Sequence, residues 1–386
     1  MTINSRAFIA GAYEHPRREI PDRSLAQIHA EVALGALADA GLGPSDVDAY
    51  LCDSTAGFGA ISMAEYLNLH PRFVDSTDTG GSSYLVHVGH AAAAIAAGHC
   101  HVALVTMAGL ARTRGEVPIA RSSGSPEAGF ESTWGMSAVT GYALAAQRHM
   151  FEFGTTSAQL AEVKVAASLH AQHNPHALLR EPVTVQEVLE SPLISSPLHR
   201  LDCCVVTDGG GAIVVVSPEV ARDLERRTVK ILGQAEAVQH TDNGRIDLTT
   251  TAAAATGPLA FAEAGVRPVD VDYVSLYDSF TITVIETIED LGFCQKGDGG
   301  RFVLDGTLVA PHGRLPFNTD GGGLCNNHPS NRGGMTKVIE AVRQLRGEAH
   351  PAVQVPNCEI AVAHGTGGSI GTRMGSATLI LGQGES

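Results

Sequence analysis

Two stretches of this chain are variants of one another. Residues 38–48 read ADAGLGPSDVD, and residues 262–272 read AEAGVRPVDVD. Each follows an alanine-rich stretch and leads into apolar residues suited to a strand, AYLCDS in the first copy and YVSLYDSF in the second. Both predict a helix, a glycine at its C-terminal cap, a proline that cannot continue it, and then a strand. Copies that begin at residues 38 and 262 lie too far apart for a solenoid, whose repeats span roughly 20–50 residues. The spacing predicts a duplicated α/β domain.

The flanking segments repeat in the same order. GGSSYLVHVGHAAAAIAAGHC follows the first copy and runs into VALVTMAG; GGGLCNNHPSNRGGMTKVIEAVRQLRG follows the second and precedes EIAVAHGTGG. Each half therefore reads helix, strand, glycine turn, helix, strand. Glycines before a helix let a ligand approach the unsatisfied N–H groups of its first turn. Residues 112–200 hold Ser/Gly-rich loops and one helix signal, TTSAQLAEVKVAASLHAQH, and read as an insertion covering the first half. DCCVVTDGGGAIVVVS (202–217) returns to strand character and closes the first half's sheet. The organisation expected is a first half of residues 1–111 and 201–225, an inserted segment 112–200, and a second half 226–386.

Composition excludes several function classes. Lys plus Arg number 26 against 41 Asp plus Glu, a net charge of −15, which repels phosphate backbones. Aromatics are 5%, too few for a base-stacking platform, so no nucleic-acid partner is expected. Any anionic ligand would need a basic or amide-lined pocket. The seven cysteines include the adjacent pair Cys203 and Cys204 and form neither a disulfide framework nor a C-x-x-C zinc pattern. No metal site is expected, and the compartment is a reducing one. The N-terminus turns polar too early for a signal peptide. The alanine run Ala91–Ala97, flanked by His87, His90 and His99, is too short to span a bilayer. The expectation is a cytoplasmic protein without membrane contact.

Three longer segments carry a family resemblance. PDRSLAQIHAEVALGALADAGLGPSDVD, HNPHALLREPVTVQEVLESPLISSPLHRLDCCVVTDGGGAIVVV and NTDGGGLCNNHPSNRGGMTKVIEAVRQLRG are similar, in order and spacing, to the thiolase superfamily. The branch they resemble is that of sterol-carrier-protein thiolases and lipid-transfer-like proteins, over nearly the whole length. The resemblance implies two α/β halves related by a pseudo-twofold axis, in a five-layer α-β-α-β-α arrangement, assembled as a homodimer.

Thiolases act beside a thioester with a nucleophilic Cys at a helix start, a His in a Gly-His-Pro motif, a second Cys near the C-terminal glycine turn, and an Asn or His opening a four-residue motif. The His is present as His328-Pro329, with Asn327 in place of Gly. There an imidazole can donate to a thioester oxygen or act as a base; alternatively it caps its own helix start. No cysteine lies between Cys52 and Cys100, and the nucleophile's position falls at or next to Gly81–Ser82. Ser82 and Ser83 read more simply as a helix cap and pocket lining than as nucleophiles. The four-residue motif is Tyr277-Asp278-Ser279-Phe280. Its tyrosine can hydrogen-bond a substrate oxygen or, with a lowered pKa, take a proton; otherwise it is core. The C-terminal turn AVAHGTGGSIG has no Cys. His364 stands there as a catalytic or a structural histidine, with the amides of Gly367 and Gly368 as oxyanion donors. Cys325, three residues before His328, could reach the site as a displaced nucleophile or substrate contact; Cys358 reads as buried.

This pattern selects among reactions. Retro-Claisen cleavage needs a nucleophile to capture the acyl group, whereas retro-aldol cleavage of a 3-hydroxyacyl thioester needs a base and an oxyanion site. The expected function is therefore retro-aldol cleavage of a 3-hydroxyacyl-CoA, resembling the branch's side-chain-cleaving aldolases of steroid degradation. A thiolase or acyltransferase acting on a 3-oxoacyl-CoA, and a non-catalytic acyl-CoA or lipid carrier, are the competing readings. Coenzyme A enters as part of the substrate, with no bound cofactor. The resemblance also implies a separate small partner with a zinc ribbon and an OB-fold.

Overall fold

The computed structural model describes residues 2–115, 128–131, 133, 137–240, 245, 247–329 and 333–384. In chain order the first part is β1 (Phe8–Glu14), α1 (Leu25–Ala40), β2 (Ala49–Leu51), α2 (Ala60–Tyr66), β3 (Phe73–Asp75), α3 (Ser83–Ala96) and β4 (Val102–Leu110). Then come α4 (Ala128–Glu131), α5 (Ala138–Phe153), α6 (Ser157–Ala171), α7 (Val185–Glu190), the hairpin β5 (Leu193–Ser195) and β6 (Leu198–His199), and β7 (Asp208–Val216). The remainder is α8 (Pro218–Asp223), β8 (Val229–Gln239), α9 (Ala253–Ala264), β9 (Tyr273–Leu276), α10 (Thr281–Asp290), α11 (Gly299–Phe302), α12 (Gly334–Arg346), β10 (Ile360–Ser369) and β11 (Thr372–Gln383).

The two copies of the repeated sequence have one conformation. Gly41 ends α1 at φ 72°, ψ 24°, and Gly265 ends α9 at φ 71°, ψ 25°, left-handed values that cost glycine little. Each is followed by a single 3₁₀ turn, Pro44–Asp46 or Pro268–Asp270, and then by the predicted strand.

The strands lie in the order β3-β2-β4-β7-β1-β8-β11-β10-β9. Outward from the centre, β1-β7-β4-β2 is matched by β8-β11-β10-β9. The pairings match too: parallel between β2 and β4 and between β9 and β10, antiparallel for the inner pairs. The halves meet where Phe8 and Ile9 of β1 pair with Lys230 and Val229 of β8, so the two sheets form one continuous ladder.

Three apolar clusters fill the spaces between layers. The central one buries α3 and α12 against both parts of the ladder, through Ile9, Val105, Ala363 and Leu379 among others. A second seats α1 and α2 on the first half. A third seats α9 and α10 on the second. Helix, sheet, helix, sheet, helix is the expected five-layer duplicated α/β fold.

Among the described residues, the helices of the inserted segment sit on the second half. Tyr142 and Ala146 of α5 and Leu160, Val163 and Ala167 of α6 share a core with Ile282, Ile285 and Ile288 of α10. It also carries more than one helix. At the start of α5, the Ser137 N–H donates to Thr140 Oγ1 at 2.8 Å, and the alanine-rich face of α5 packs in a core shared with α10 and Leu198 of β6.

Candidate active site

Tyr277 leaves the tip of β9 and still pairs with β10, its N–H donating to the His364 carbonyl at 2.9 Å. Its ring turns into the space between the starts of α3 and α12. A Cβ added at Gly81 would come within 2.5 Å of that ring and 2.3 Å of the Thr366 carbonyl; one at Gly333 would lie 3.4 Å from the ring. The phenol thus fills the space that a side chain at position 81 would need. Both helix starts contribute positive potential here, and they touch, because a Cβ on Gly334 would lie 1.9 Å from the Gly81 carbonyl.

His328 stands against Tyr277, with ring centroids 5.4 Å apart and planes at 73°. It arrives on a single π-helical turn, Gly322–Asn326, entered through Gly321 at φ 97°. Thr207 holds the backbone of His328 by accepting its N–H at 3.0 Å, and donates to Asn327 Oδ1 at 2.8 Å. Asn327 Nδ2 in turn donates to Glu14 Oε1 at 2.9 Å. Asn326 accepts Arg18 Nη2 at 2.7 Å and donates to Asp320 Oδ2 at 2.8 Å. Both asparagines therefore tie the turn into buried polar groups. The Ser330–Arg332 part of the motif lies outside the described residues.

Electrostatics divide the two side chains into different roles. Burial pushes the His328 imidazole down to about 4, Asp278 opposes this, and Lys337 adds to it. The ring is therefore neutral at pH 7. One nitrogen is engaged by its own backbone, and Nε2 has no partner among the described residues. A neutral imidazole bonded this way through Nδ1–H keeps a lone pair at Nε2. Burial, then Cys204 and Tyr142, raises the Tyr277 phenol well above its usual range, against a hydrogen bond from the Gly333 backbone. Tyr277 therefore stays a neutral phenol able to donate a hydrogen bond, without the lowered pKa that a tyrosine base would need.

The other expected residues are placed as follows. Ser82 donates its hydroxyl to the Thr79 carbonyl at 2.9 Å, and Ser83 Oγ accepts the Thr79 N–H at 2.8 Å; both close the turn before α3. His364 Nδ1 meets Thr378 Oγ1 at 2.8 Å, and Thr378 meets Thr256 of α9. Its ring thus lies on the α9 face of the ladder and is not brought to His328; burial lowers it to about 3. Gly367 and Gly368 pair with Gly375 and Met374. Gly367 is closed over by Thr79, whose carbonyl lies 1.8 Å from where a Cβ would stand. Cys325 does not reach the site: it is fully buried, its sulfur 3.1 Å from Lys164 Nζ, and burial raises its thiol. The one-sided packing of the π turn sends this side chain toward α6.

Three residues at the site escaped the sequence reading. Cys204 is half-buried beside Tyr277 and Asp278, its N–H donating to the Ser279 carbonyl at 2.9 Å. Tyr142 of α5 stacks on Phe280 at 4.4 Å, with the hydroxyls of Ser279 and Thr366 as its partners. Asp278 is fully buried beneath Tyr277. The adjacency of Asp278 to Tyr277 was the one available signal. Among the described residues no three His, Cys, Asp or Glu side chains cluster to hold a metal, and no helix is long and apolar enough to cross a membrane.

The chain also matches known proteins over most of its length. Residues 235–383 match the family described as "Thiolase C-terminal domain-like". An "Acetyl-CoA acetyltransferase" of Methanothermobacter thermautotrophicus is 33% identical, across 92% of this chain and 94% of that protein. The "17-hydroxy-3-oxo-4-pregnene-20-carboxyl-CoA lyase" of Mycobacterium tuberculosis is 34% identical, across 95% and 97%. Among solved structures, "Ltp2-ChsH2(DUF35) aldolase" superposes with a TM-score of 0.89 at 32% identity, covering 99% of this chain and 98% of that one.

Proposed function

The chain belongs to the thiolase superfamily, in its branch of sterol-carrier-protein thiolases and side-chain-cleaving aldolases, and we propose that it cleaves a 3-hydroxyacyl-CoA by a retro-aldol reaction. The broader statement is that it is an enzyme of carbon–carbon bond chemistry on acyl-CoA thioesters, with coenzyme A arriving as part of the substrate. One observation supports the finer reading: around Gly81–Ser82, where the nucleophile is expected, there is no cysteine, and the Tyr277 ring occupies the space that a side chain on Gly81 would need.

In this reading His328 Nε2 takes the proton of the 3-hydroxyl. The bond between the second and third acyl carbons breaks, its electron pair moves into the thioester enolate, and a ketone or aldehyde leaves. Tyr277 donates to the enolate oxygen, assisted by the helix starts. The proton held on His328 then returns to the second carbon, so no proton or acyl acceptor is required overall. Neutral His328 and protonated Tyr277 each begin in the state their step needs.

The acyltransferase reading has one supporting observation, the half-buried Cys204 beside Tyr277. Its thiol is raised by burial, the wrong direction for a nucleophile. The two reactions separate by their need for free coenzyme A. Incubated with a 3-hydroxyacyl-CoA bearing a tertiary carbinol, and none of the free cofactor, the aldolase releases a ketone and a shortened acyl-CoA. Cleavage only of 3-oxoacyl-CoA, and only with free coenzyme A, would reverse the assignment.

Two assembly proposals accompany this. The two-component "Ltp2-ChsH2(DUF35) aldolase" supports a separate zinc-ribbon and OB-fold partner here too. A homodimer is supported by β3, an end strand of the ladder, bordered by exposed Phe58, Ile61, Tyr66 and Val74.

A further inference from the structure

Asp278 and Lys337 form an ion pair in a place where charge is costly. Both side chains are at most 1% exposed, and Lys337 Nζ lies 2.7 Å from Asp278 Oδ1. Taking two such groups from water is costly, so a buried pair is rarely explained by stability alone. This pair spans the site. Asp278 follows Tyr277 in the chain, and Lys337 sits in the first turn of α12.

The carboxylate also holds the turn that carries His328. Its oxygens accept the N–H of Gly323 at 2.8 Å and of Leu324 at 3.0 Å. The turn is shaped around it: a Cβ at Gly322 would fall 2.2 Å from Asp278 Oδ2, and one at Gly323 would lie 3.1 Å from Oδ1. An uncharged acceptor could bond the same groups, but a carboxylate also sets an opposite charge against the cation from α12.

We propose that Asp278 and Lys337 are a positioning pair for the reaction: Asp278 fixes the His328 turn beneath Tyr277, and Lys337 cancels the charge that this anchor would impose on the ring. The inference rests on the proposed use of His328 as a base. A bare carboxylate beside the imidazole would favour the protonated ring, which has no lone pair to offer; a lone ammonium would favour the neutral one. Asp278 and Lys337 do act on His328 in these opposite directions. Among the described residues, the groups around this ring are Tyr277 and Asp278 from the β9–α10 turn, Lys337 from α12, Thr207 from the strap before β7, and its own π turn.

The test is the titration of the His328 ring by NMR in the full chain, followed by the pH profile of kcat. Lys337→Met raises the ring's titration point and Asp278→Asn lowers it, each by about one unit. The double variant, which keeps the site neutral, falls between the two. Lys337→Arg, which keeps the charge, stays closer to wild type than Lys337→Met does. The acid limb of kcat follows the same order. Shifts in a common direction, or none in folded variants, would overturn the proposal. Should Asp278→Asn fail to fold, the comparison of Lys337→Met with Lys337→Arg decides alone: equal titration points contradict it. Wild-type protein that leaves the 3-hydroxyacyl-CoA intact would remove the functional reading, whereas the ring titration would still read the pair.

Discussion

At the residue scale, the division of labour between Tyr277 and His328 makes separable predictions. Tyr277→Phe keeps the ring packed over Gly81 but loses the donor. The rate should fall about a hundredfold, while melting changes little because buried area is conserved. A variant with wild-type rates would reduce Tyr277 to packing. His328 is neutral down to about 4, so the base is present at neutral pH and is lost as pH falls through that value. An acid limb near pH 6.5 in kcat would contradict the burial that defines the site. The thiols give another test. Cys325→Ala should leave cleavage intact, since its sulfur faces Lys164. Because burial raises the Cys204 thiol, an alkylating reagent should leave wild-type cleavage largely intact, and Cys204→Ala should stay active. An inactive, folded Cys204→Ala protein would favour covalent chemistry. His328 and Tyr277 were legible because their motifs survive in the chain. Cys204, Tyr142 and Asp278 were not, because segments far apart in sequence converge there: Asp278 meets Gly323, 45 residues on, and the Tyr277 ring meets Gly81 from the other half.

At the element scale, the helix–glycine–proline–strand units were legible because their signals are local. A glycine at positive φ and the proline after it act within one turn, and both copies obeyed. Helix α5 was less legible, since its alanine-rich face is explained by packing on elements distant in sequence, α10 among them. The glycines before α3 and α12 were read as room for a ligand. At Gly81 the room is taken by the Tyr277 ring and the Thr366 carbonyl. Gly81→Ala should therefore destabilise the fold by about 1–3 kcal/mol, as overpacking does, and lower turnover by displacing the phenol. Chemical denaturation and steady-state kinetics on the same preparation check both. A fully active, equally stable Gly81→Ala protein would mean the phenol does not fill the nucleophile's place.

At the scale of the whole molecule, the duplication was visible in sequence, but the continuity of the ladder was not. It depends on the pairing of Phe8 with Lys230 and Ile9 with Val229, which no local pattern encodes. The seat of the inserted segment on the second half was hidden for the same reason. Burial lowers His170 and His328 to about 4 and His364 to about 3. In the unfolded chain these rings take up protons below about 6.5, while the folded ones stay neutral. Their contribution to stability is therefore full above about 6.5 and is lost as pH falls toward 4. His364→Gln should flatten that part of the stability–pH curve, and an unchanged slope would contradict a neutral buried ring. If the β3 edge forms the proposed homodimer, Ile61→Asp should shift the sedimenting species toward monomer. The proposed reaction proceeds without an acyl-enzyme. Its most direct test mixes enzyme and 3-hydroxyacyl-CoA at equal concentration, without free coenzyme A, and reads the acid-quenched protein mass alongside the products. Retro-aldol cleavage gives a ketone or aldehyde, a shortened acyl-CoA and an unchanged protein mass. A protein heavier by the acyl group, with product appearing only after coenzyme A is added, would contradict it.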